Sequence, residues 1–291
     1  MAFKKIAVIG LLCLPSLACS ESHRFSFSTH DPDQGDVVIV REQGSPEPFS
    51  ILLGKTRYDS LLFRGKQTVL LGIDYKLPPG KHTVRAQFTI ATGTATFRYR
   101  ITVKERFPPL QYTIMSRPPE VQSRIDKDQA ADHHAAQSAQ LIAHTMGPFS
   151  WPVYPVVVTS PFGDRRCSTY RNHRWTNCKY HLGVDYRAAF DPAHHKPAPI
   201  HAIQGGRVVL AVHHELDGNV VFIDHGNGIL SEYLHLSKMF VKKGMMVSSG
   251  QVIGISGATG EADGIHLHFA IKMAHGSVLI DPQRFLKAMM K

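Results

Sequence analysis

A stretch of 26 residues without glycine or proline, Glu120 to Thr145, separates two long segments in which short apolar runs alternate with turn residues. An uninterrupted stretch of this length is typical of an α-helix, and Gly147-Pro148 would end it. Short runs between turns are typical of β-strands. We therefore predict a mainly β protein in which one helix links two β regions.

The segment from Ser22 to Val103 has the pattern of a small all-β domain. Its strand-like runs are Val37–Val40, Thr68–Leu71, His82–Ala86 and Phe97–Ile101. Several short strands at this spacing, with a turn at Pro78-Pro79-Gly80, favour a β-sandwich. The sequence of this segment has no paired acids, cysteine clusters or glycine-rich phosphate loop. We interpret it as a binding or spacing module.

From Phe149 onward, strand-like runs alternate with glycine-rich turns. The runs are Val156–Val158, Arg207–Leu210, Val220–Ile223 and Val252–Ile255, and the turns include Gly205-Gly206, Asp217-Gly218-Asn219 and His225-Gly226-Asn227-Gly228. This pattern predicts a compact antiparallel sheet domain. The predicted boundaries are residues 22–115 for the N-terminal β-sandwich, 116–147 for a helical linker and 148–291 for the C-terminal antiparallel β-sheet domain.

Residues 1–18 have the features of an export signal. Lys4 and Lys5 form a basic start, a short apolar run follows, and small residues precede Cys19. The apolar run is too short to span a bilayer, so cleavage after Ala18 is the favoured interpretation. Cys19 would then be the first residue, and both a lipid anchor on Cys19 and plain cleavage stay open. Either outcome predicts an exported protein of the periplasm or cell envelope, attached to the membrane if Cys19 is lipidated.

The formal net charge is +10, and removal of residues 1–18, which hold two lysines and no acid, lowers it to +8. Basic proteins attract polyanions. Because the sequence lacks zinc-finger, helix-turn-helix and aromatic-basic patterns, nucleic acid is not an expected partner. Anionic wall polymers fit an exported protein better, and a basic surface that only aids solubility explains the charge equally well. The sequence carries no signal for an oligomeric state.

Two motifs in the C-terminal segment carry candidate metal ligands: His181-x3-Asp185 and His266-x-His268. Residues two or four apart lie on the same face of a strand, so each pair could point at one ion while Leu182, Val184, Leu267 and Phe269 face the core. Catalytic zinc sites use three such ligands and leave one position for water.

Spacing alone is weak evidence for these ligands. With 18 histidines and 15 aspartates in 291 residues, about one His-x3-Asp pair and about one His-x-His pair are expected by chance. His213-x3-Asp217 is a second match of the first kind, which we interpret as accidental because it precedes the Gly218-Asn219 turn. We place His213 and His214 in a loop.

The case for the first pair rests on an ordered series of short blocks. The blocks are Ser160–Arg166, His181–Asp185, Ile200–Ala202, Gly205–Val208, Gly218–Gly226, Tyr233–Leu236, Val247–Gly254, Gly257–Gly260 and Gly264–Phe269. In this order and at this spacing they resemble the lysostaphin/LytM-type zinc metallopeptidases, from Phe149 to Pro282. Through Gly35–Val40 and Pro79–His82, the N-terminal segment is also similar to the all-β domain that precedes the peptidase in some secreted Gram-negative members.

The resemblance implies a zinc peptidase domain with one Zn²⁺ per chain, held by His181, Asp185 and His268. It also implies that His235 and His266 are the two unligated active-site histidines, which act on the metal-activated water and stabilise the developing oxyanion. All five positions carry the residue type that the family uses. The implied partners are peptidoglycan peptides. The implied reaction is hydrolysis of their cross-links, and we expect the D-alanine–diaminopimelate bond because the export signal and the β domain look Gram-negative.

Two other functions stay open. Some relatives have lost zinc ligands and activate other wall hydrolases, so a non-catalytic wall-binding activator is the alternative, although no ligand is lost here. A zinc hydrolase of secreted or host proteins is a third. Beside the predicted site, Cys167 and Cys178 could form a disulfide in an oxidising compartment. Their segment would either border the substrate groove or be a stapled surface loop.

Overall fold

The computed structural model describes residues 25–43, 47–90, 93–108, 110, 119–138, 147–169, 176–191 and 196–291. The predicted export signal at residues 1–18 and Cys19 lie outside the described residues. Within the described ranges, no helix is both long and apolar enough to cross a bilayer. The order of elements confirms a mainly β protein with antiparallel sheets.

The described part of the N-terminal region has eight strands. They are β1 (Phe25–Phe27), β2 (Val37–Glu42), β3 (Phe49–Leu53), β4 (Thr56–Asp59), β5 (Leu61–Phe63), β6 (Lys66–Gly72), β7 (Gly80–Ile90) and β8 (Gly93–Val103). One sheet has the order β1-β2-β6-β5 and the other the order β4-β3-β7-β8. Val38 and Leu71 of the first sheet and Ile51 and Val84 of the second are fully buried in one hydrophobic cluster, which is the packing of a β-sandwich.

Helix α1 (Pro119–Gln137) follows the sandwich. Its first residue is a proline, which suits this position because the missing N–H has no partner within the helix there. The helix ends at Gln137, and most of the predicted extension to Thr145 lies outside the described residues. Ala135 and Ala136 are buried against residues of the C-terminal sheet, and their small side chains let the helix lie close to that sheet.

The described part of the C-terminal region has fifteen strands and a short helix. They are β9 (Val158–Ser160), β10 (Arg165–Thr169), β11 (Thr176–Tyr180), β12 (Val184–Arg187), β13 (Ala189–Asp191), β14 (Lys196–Pro197), β15 (Pro199–His201), β16 (Gly206–His214), β17 (Gly218–Asp224), β18 (Leu230–Leu236), β19 (Lys238–Met239), β20 (Met246–Val247), β21 (Val252–Ile255), β22 (His266–Met273), β23 (Val278–Ile280) and α2 (Pro282–Met290).

The central sheet of this region has the order β20-β16-β17-β18-β22-β12-β9, and β23 pairs with β22. Strand β18 is buried along its whole length. Leu230 and Leu234 of β18 pack in the cluster that contains Ala135 and Ala136 of α1. Tyr233 lies in the main core. The strand is therefore covered on both faces, which places its charged and titratable side chains in a dry environment.

Strand β23 and helix α2 join the C-terminal sheet to the sandwich. The Asp281 carboxylate caps α2 by accepting two backbone N–H groups of the first turn, and it also accepts a 2.8 Å bond from Arg106, which follows the sandwich strands. Gly72 of β6 lies against Val278 and Ile280 of β23. Both regions share one hydrophobic cluster, and the boundaries between them stay a prediction.

Candidate active site

Strand β22 brings two histidines to the same side of the central sheet. His266 and His268 alternate with Leu267 and Phe269, which are fully buried in the core. Successive side chains of a strand point to opposite faces, and this alternation was predicted from the sequence. The two imidazoles therefore lie on the face opposite to the buried Leu267 and Phe269.

Asp185 lies beside His268 because strands β12 and β22 pair in register. The two residues are direct cross-strand partners, and the side chains of such partners share one face of the sheet. The Nδ1 atom of His268 lies 2.9 Å from Oδ1 of Asp185.

His181 reaches the same point from outside the strand, which corrects the prediction that His181 and Asp185 share one strand. Strand β12 starts only after Gly183, where the chain bends. Two backbone bonds hold His181 in place. Its N–H donates to the carbonyl of Asp164 (2.8 Å), and its carbonyl accepts the N–H of Gly163 (2.7 Å).

The three side chains form a compact group of metal-donor atoms. The Nε2 atom of His181 lies 3.1 Å from Oδ1 of Asp185 and 2.9 Å from Nδ1 of His268. A tetrahedral zinc ion with ligand bonds of about 2.0–2.1 Å keeps its ligand atoms about 3.3 Å apart, so small shifts would admit an ion. Two imidazoles and one carboxylate are also a donor set of catalytic zinc sites. The residues therefore fit one Zn²⁺.

The close approach of His268 requires a glycine at position 183. A Cβ atom on Gly183 would lie only 2.4 Å from Nε2 of His268, well inside van der Waals contact. Gly183 lies in one of the motif blocks, but this role was not predicted from the sequence. A glycine between two candidate ligands is the signal that could have indicated it.

Hydrogen bonds around the donor group orient two of the ligands. The Nδ1 atom of His181 lies 3.0 Å from the carbonyl oxygen of Pro161. Because a carbonyl can only accept, Nδ1 carries the proton and the lone pair of Nε2 faces the other donors. Arg166 donates from Nη2 to Oδ2 of Asp185, which leaves Oδ1 for a metal ion.

The pKa shifts favour the metal-binding forms of Asp185 and His268. Burial alone would raise the pKa of the Asp185 carboxyl, but the neighbouring His181 and His268 imidazoles outweigh burial and hold that pKa below its ordinary value. Burial lowers the pKa of His268. Metal ions bind carboxylates and neutral imidazoles, so both side chains are in the binding form near neutral pH.

Two further histidines, His235 of β18 and His266 of β22, lie next to the donor group. The Nδ1 atom of His235 lies 2.9 Å from the carbonyl oxygen of Thr259, and Nδ1 of His266 lies 2.8 Å from that of Gly264. Each Nδ1 therefore carries a proton, and each Nε2 is left with a lone pair. The two ring centroids are 4.8 Å apart, and Nε2 of His266 is 3.9 Å from Oδ1 of Asp185.

His235 has a left-handed backbone, with φ of 63°. Such a conformation costs a non-glycine residue about 1–3 kcal/mol and persists only where the surroundings hold it. Here the N–H of His235 donates to the carbonyl of Asp217 at 2.9 Å. Burial lowers the pKa of His235, so its imidazole is neutral near pH 7 and able to accept a proton.

An open cleft of about 850 Å³ runs past the donor group. Its lining residues are Thr159, Ser160, Arg166, Asp185, Arg187, His235 and residues 261–266. Arg166 and Arg187 are the basic residues of this lining, and Asp185, Glu261 and Asp263 are its acidic ones. The arrangement can hold a polar chain beside a metal-donor group and two imidazole lone pairs.

The comparison with known families fits this geometry. Residues 179–282 match the model of Peptidase family M23, and this range contains the three donor residues as well as His235 and His266. Residues 179–282 are therefore an M23 peptidase domain.

Similar proteins include cell-wall enzymes. Peptidoglycan DD-endopeptidase ShyA of Vibrio cholerae is 49% identical over 73 residues, which are 25% of this chain and 17% of ShyA. DD-carboxypeptidase/endopeptidase Mpg of Neisseria meningitidis is 33% identical over 122 residues, 42% of this chain and 26% of Mpg. The chain thus spans about a quarter or less of the length of these two relatives.

The overall fold also has a counterpart among solved structures. A crystal structure assigned to peptidase M23 from Pseudomonas aeruginosa matches with a TM-score of 0.59 and 25% sequence identity, over 88% of this chain and 96% of that chain. The likeness therefore extends beyond the M23 domain into the N-terminal β region.

A disulfide hairpin lies beside the cleft of the M23 domain. Cys167 of β10 and Cys178 of β11 are directly paired residues and form a disulfide with a Cα–Cα distance of 4.1 Å. The same hairpin carries Arg166, which reaches Asp185. The pairing of the two cysteines was predicted from the sequence. The contribution of Arg166 to the cleft was missed, because the residues around it do not distinguish it from other arginines.

The placement of His213 and His214 in a loop was wrong. Both residues belong to strand β16, and His214 is only 3% exposed. Its Nδ1 atom lies 3.5 Å from Oδ1 of Asp132 on helix α1. His213 is exposed, and its Nδ1 lies 3.0 Å from Oδ1 of Asn219. Sequence reasoning missed the burial of His214 because it depends on a helix about 80 residues earlier.

Proposed function

We propose that this protein is a zinc-dependent endopeptidase that hydrolyses the peptide cross-links of bacterial peptidoglycan. The observation that carries the proposal is the group of three donor atoms from His181, Asp185 and His268, all about 3 Å apart, with two further histidines beside it. One Zn²⁺ per chain is the proposed cofactor.

When bound, zinc supplies Lewis acidity, which polarises a peptide carbonyl and makes water acidic near neutral pH. His181 and Asp185 are positioned to hold it before the reaction, because Pro161 orients the imidazole and Arg166 the carboxylate. Positioning of this kind removes reorganisation from the chemical step.

His235 is the proposed general base. Its Nδ1 proton is engaged by Thr259, and its burial keeps Nε2 free of a proton near neutral pH. His266 is oriented in the same way by Gly264. In its protonated form it would donate from Nε2 to the developing oxyanion or to the leaving amine. Acid–base groups placed in this way contribute about 10²–10⁴ to the rate.

The proposed substrate is peptidoglycan, because the relatives ShyA and Mpg are named for peptidoglycan DD-endopeptidase and DD-carboxypeptidase/endopeptidase activities. The cleft contains both basic residues, Arg166 and Arg187, and acidic ones, Glu261 and Asp263, which suits a peptide with charges of both signs. The D-alanine–diaminopimelate cross-link is the bond we propose. Export to the periplasm or cell envelope follows from the same proposal, and lipidation of Cys19 is the proposed mode of membrane attachment.

The test is mass spectrometry of the fragments released from purified Gram-negative peptidoglycan by the zinc-loaded full chain. We expect loss of cross-linked dimers and the appearance of monomers that end in D-alanine. His268→Ala and His181→Ala should release none, while His213→Ala should behave as wild type. If folded protein with full zinc occupancy released no peptide from any peptidoglycan type, the alternative of a wall-binding activator would replace this proposal.

A further inference from the structure

A second group of metal-donor side chains lies on the face of the central sheet that helix α1 covers. Asp132 belongs to α1, His214 is the last residue of β16, and Asp217 lies in the turn that leads to β17. Their donor atoms all lie within 4.8 Å of one another. None of the three side chains belongs to the active site described above.

The Nδ1 atom of His214 points into this group without a hydrogen bond. His214 is 3% exposed, and among the described residues neither its Nδ1 atom nor the Oδ1 atom of Asp132 has a hydrogen-bond partner. The two atoms are 3.5 Å apart. Buried polar atoms are nearly always paired, so the geometry leaves two buried donor atoms that a ligand between them would satisfy.

The charge around the group is negative. Asp132 has three negatively charged neighbours, Glu232, Asp217 and Asp128, and one positively charged neighbour, Lys272. Lys272 is held by Glu232, with Nζ 2.6 Å from Oε1. The surroundings therefore favour a cation.

The donor set indicates which cation this is. One imidazole nitrogen with two carboxylate oxygens is typical of zinc and related divalent transition metals, whereas calcium and magnesium take oxygen ligands. We propose that Asp132, His214 and Asp217 bind a second Zn²⁺ ion, which fastens helix α1 to the turn between β16 and β17.

The proposed ion would stabilise two parts of the structure. Helix α1 is otherwise held near this turn by the packing of Ala135 and Ala136 and by the pair between Arg124 and Glu215, so the ion adds a link across elements far apart in sequence. The carbonyl of Asp217 also accepts the N–H of His235 at 2.9 Å. The same ion therefore supports the backbone position of His235.

The experiment is zinc titration of the purified full chain, followed by dialysis and measurement of bound zinc by elemental mass spectrometry. We expect two zinc ions per chain for wild type, one for His268→Ala, one for Asp132→Asn and one for His214→Gln. His213→Gln is the matched control and should keep two. Asp132→Asn preserves shape and covers the case in which His214→Gln fails to fold.

Hydrogen exchange gives a second measurement that needs no change in the second site. In His268→Ala, added Zn²⁺ should slow amide exchange in residues 119–137. One zinc ion in wild type and none in His268→Ala would overturn the proposal of a second site. Two ions that survive both Asp132→Asn and Asp217→Asn would also overturn it. A different result is expected if the active-site proposal fails and the second site exists. Zinc would then persist in His268→Ala and disappear in Asp132→Asn.

Discussion

The M23 domain contains two segments with the same His-x3-Asp spacing, and they have different structures. In His181-x3-Asp185 both side chains reach the donor group, because the chain bends at Gly183 and strand β12 then begins. In His213-x3-Asp217 the strand runs through His213 and ends one residue later. His213 stays exposed, and its neighbour His214 is the residue that approaches Asp132.

His-x3-Asp spacing makes a donor group only where a neighbouring strand supplies a further donor. Asp185 has His268 directly opposite on β22, so the sheet register supplies a third candidate ligand. His213 lies opposite Asn219 on β17, whose amide is a poor metal ligand compared with imidazole. The same spacing therefore gives a pair of candidate metal donors at His181 and Asp185, and an exposed histidine at His213.

The largest expected effect comes from removing the partner that distinguishes the two segments. His268→Ala should abolish tight zinc binding at the first segment and lower kcat/KM on peptidoglycan by about 10³-fold or more, because Lewis acidity is worth several kcal/mol in the transition state. His213→Ala in the second segment should change neither quantity measurably. Zinc stoichiometry and peptide release measure both. Equal losses in the two variants would contradict the comparison.

The next largest effect separates metal binding from proton transfer. His235→Gln should lower kcat by about 10²–10⁴-fold, because it removes the base, while the zinc content of the first site stays at one ion. His268→Ala loses both properties. Single-turnover kinetics and metal analysis on the same preparation test this. Loss of zinc in His235→Gln would place His235 among the ligands and refute the role proposed for it.

Much of this arrangement could be predicted from the sequence because it depends on local patterns. Alternation in the segment around His266 and His268 predicted their common face, and the runs at 37–40, 207–210 and 220–223 all lie within strands. The order of the motif blocks predicted which residues would meet, and the structure brings His181, Asp185 and His268 together.

What could not be predicted depends on contacts between distant parts of the chain. The bend at Gly183 is needed because the His268 ring occupies the space of a side chain at that position, and only the folded sheet shows this. His214 is buried because α1 lies over β16, with Ala135 and Ala136 against the sheet. Arg166 reaches Asp185 through a disulfide hairpin whose direction no local pattern specifies.

Gly183 lies inside the His181-x3-Asp185 segment, and its substitution tests whether the bend in that segment is needed for zinc binding. Gly183→Ala should lower zinc affinity by about 10–100-fold, the range seen when the residues that support a ligand are changed. The new Cβ atom would lie 2.4 Å from Nε2 of His268 and would displace that ring. Gly147→Ala is the control, since a Cβ atom there meets only ordinary contacts. Competition with a chromogenic zinc chelator measures the affinity. Unchanged affinity would mean that His268 can bind from another position.

The smallest effect concerns a third environment for histidine, burial without a carboxylate partner. His225 is 1% exposed, with Nδ1 3.0 Å from the carbonyl oxygen of Gly205 and Nε2 2.7 Å from the hydroxyl of Ser231. Burial lowers its pKa to about 4. In the unfolded chain the pKa is about 6.5, so between these values the unfolded state binds more protons.

The free energy of unfolding should therefore be unaffected by His225 above pH 6.5 and should fall by about 2 kcal/mol between pH 7 and pH 5. Urea unfolding at several pH values measures this loss, which His225→Gln should remove and the exposed His213→Gln should retain. An identical pH slope in wild type and His225→Gln would contradict it. A histidine buried among neutral groups resists protonation but has no second ligand, whereas His181 and His268 share Asp185. In both metal-donor groups of the described residues, a buried histidine lies beside an aspartate.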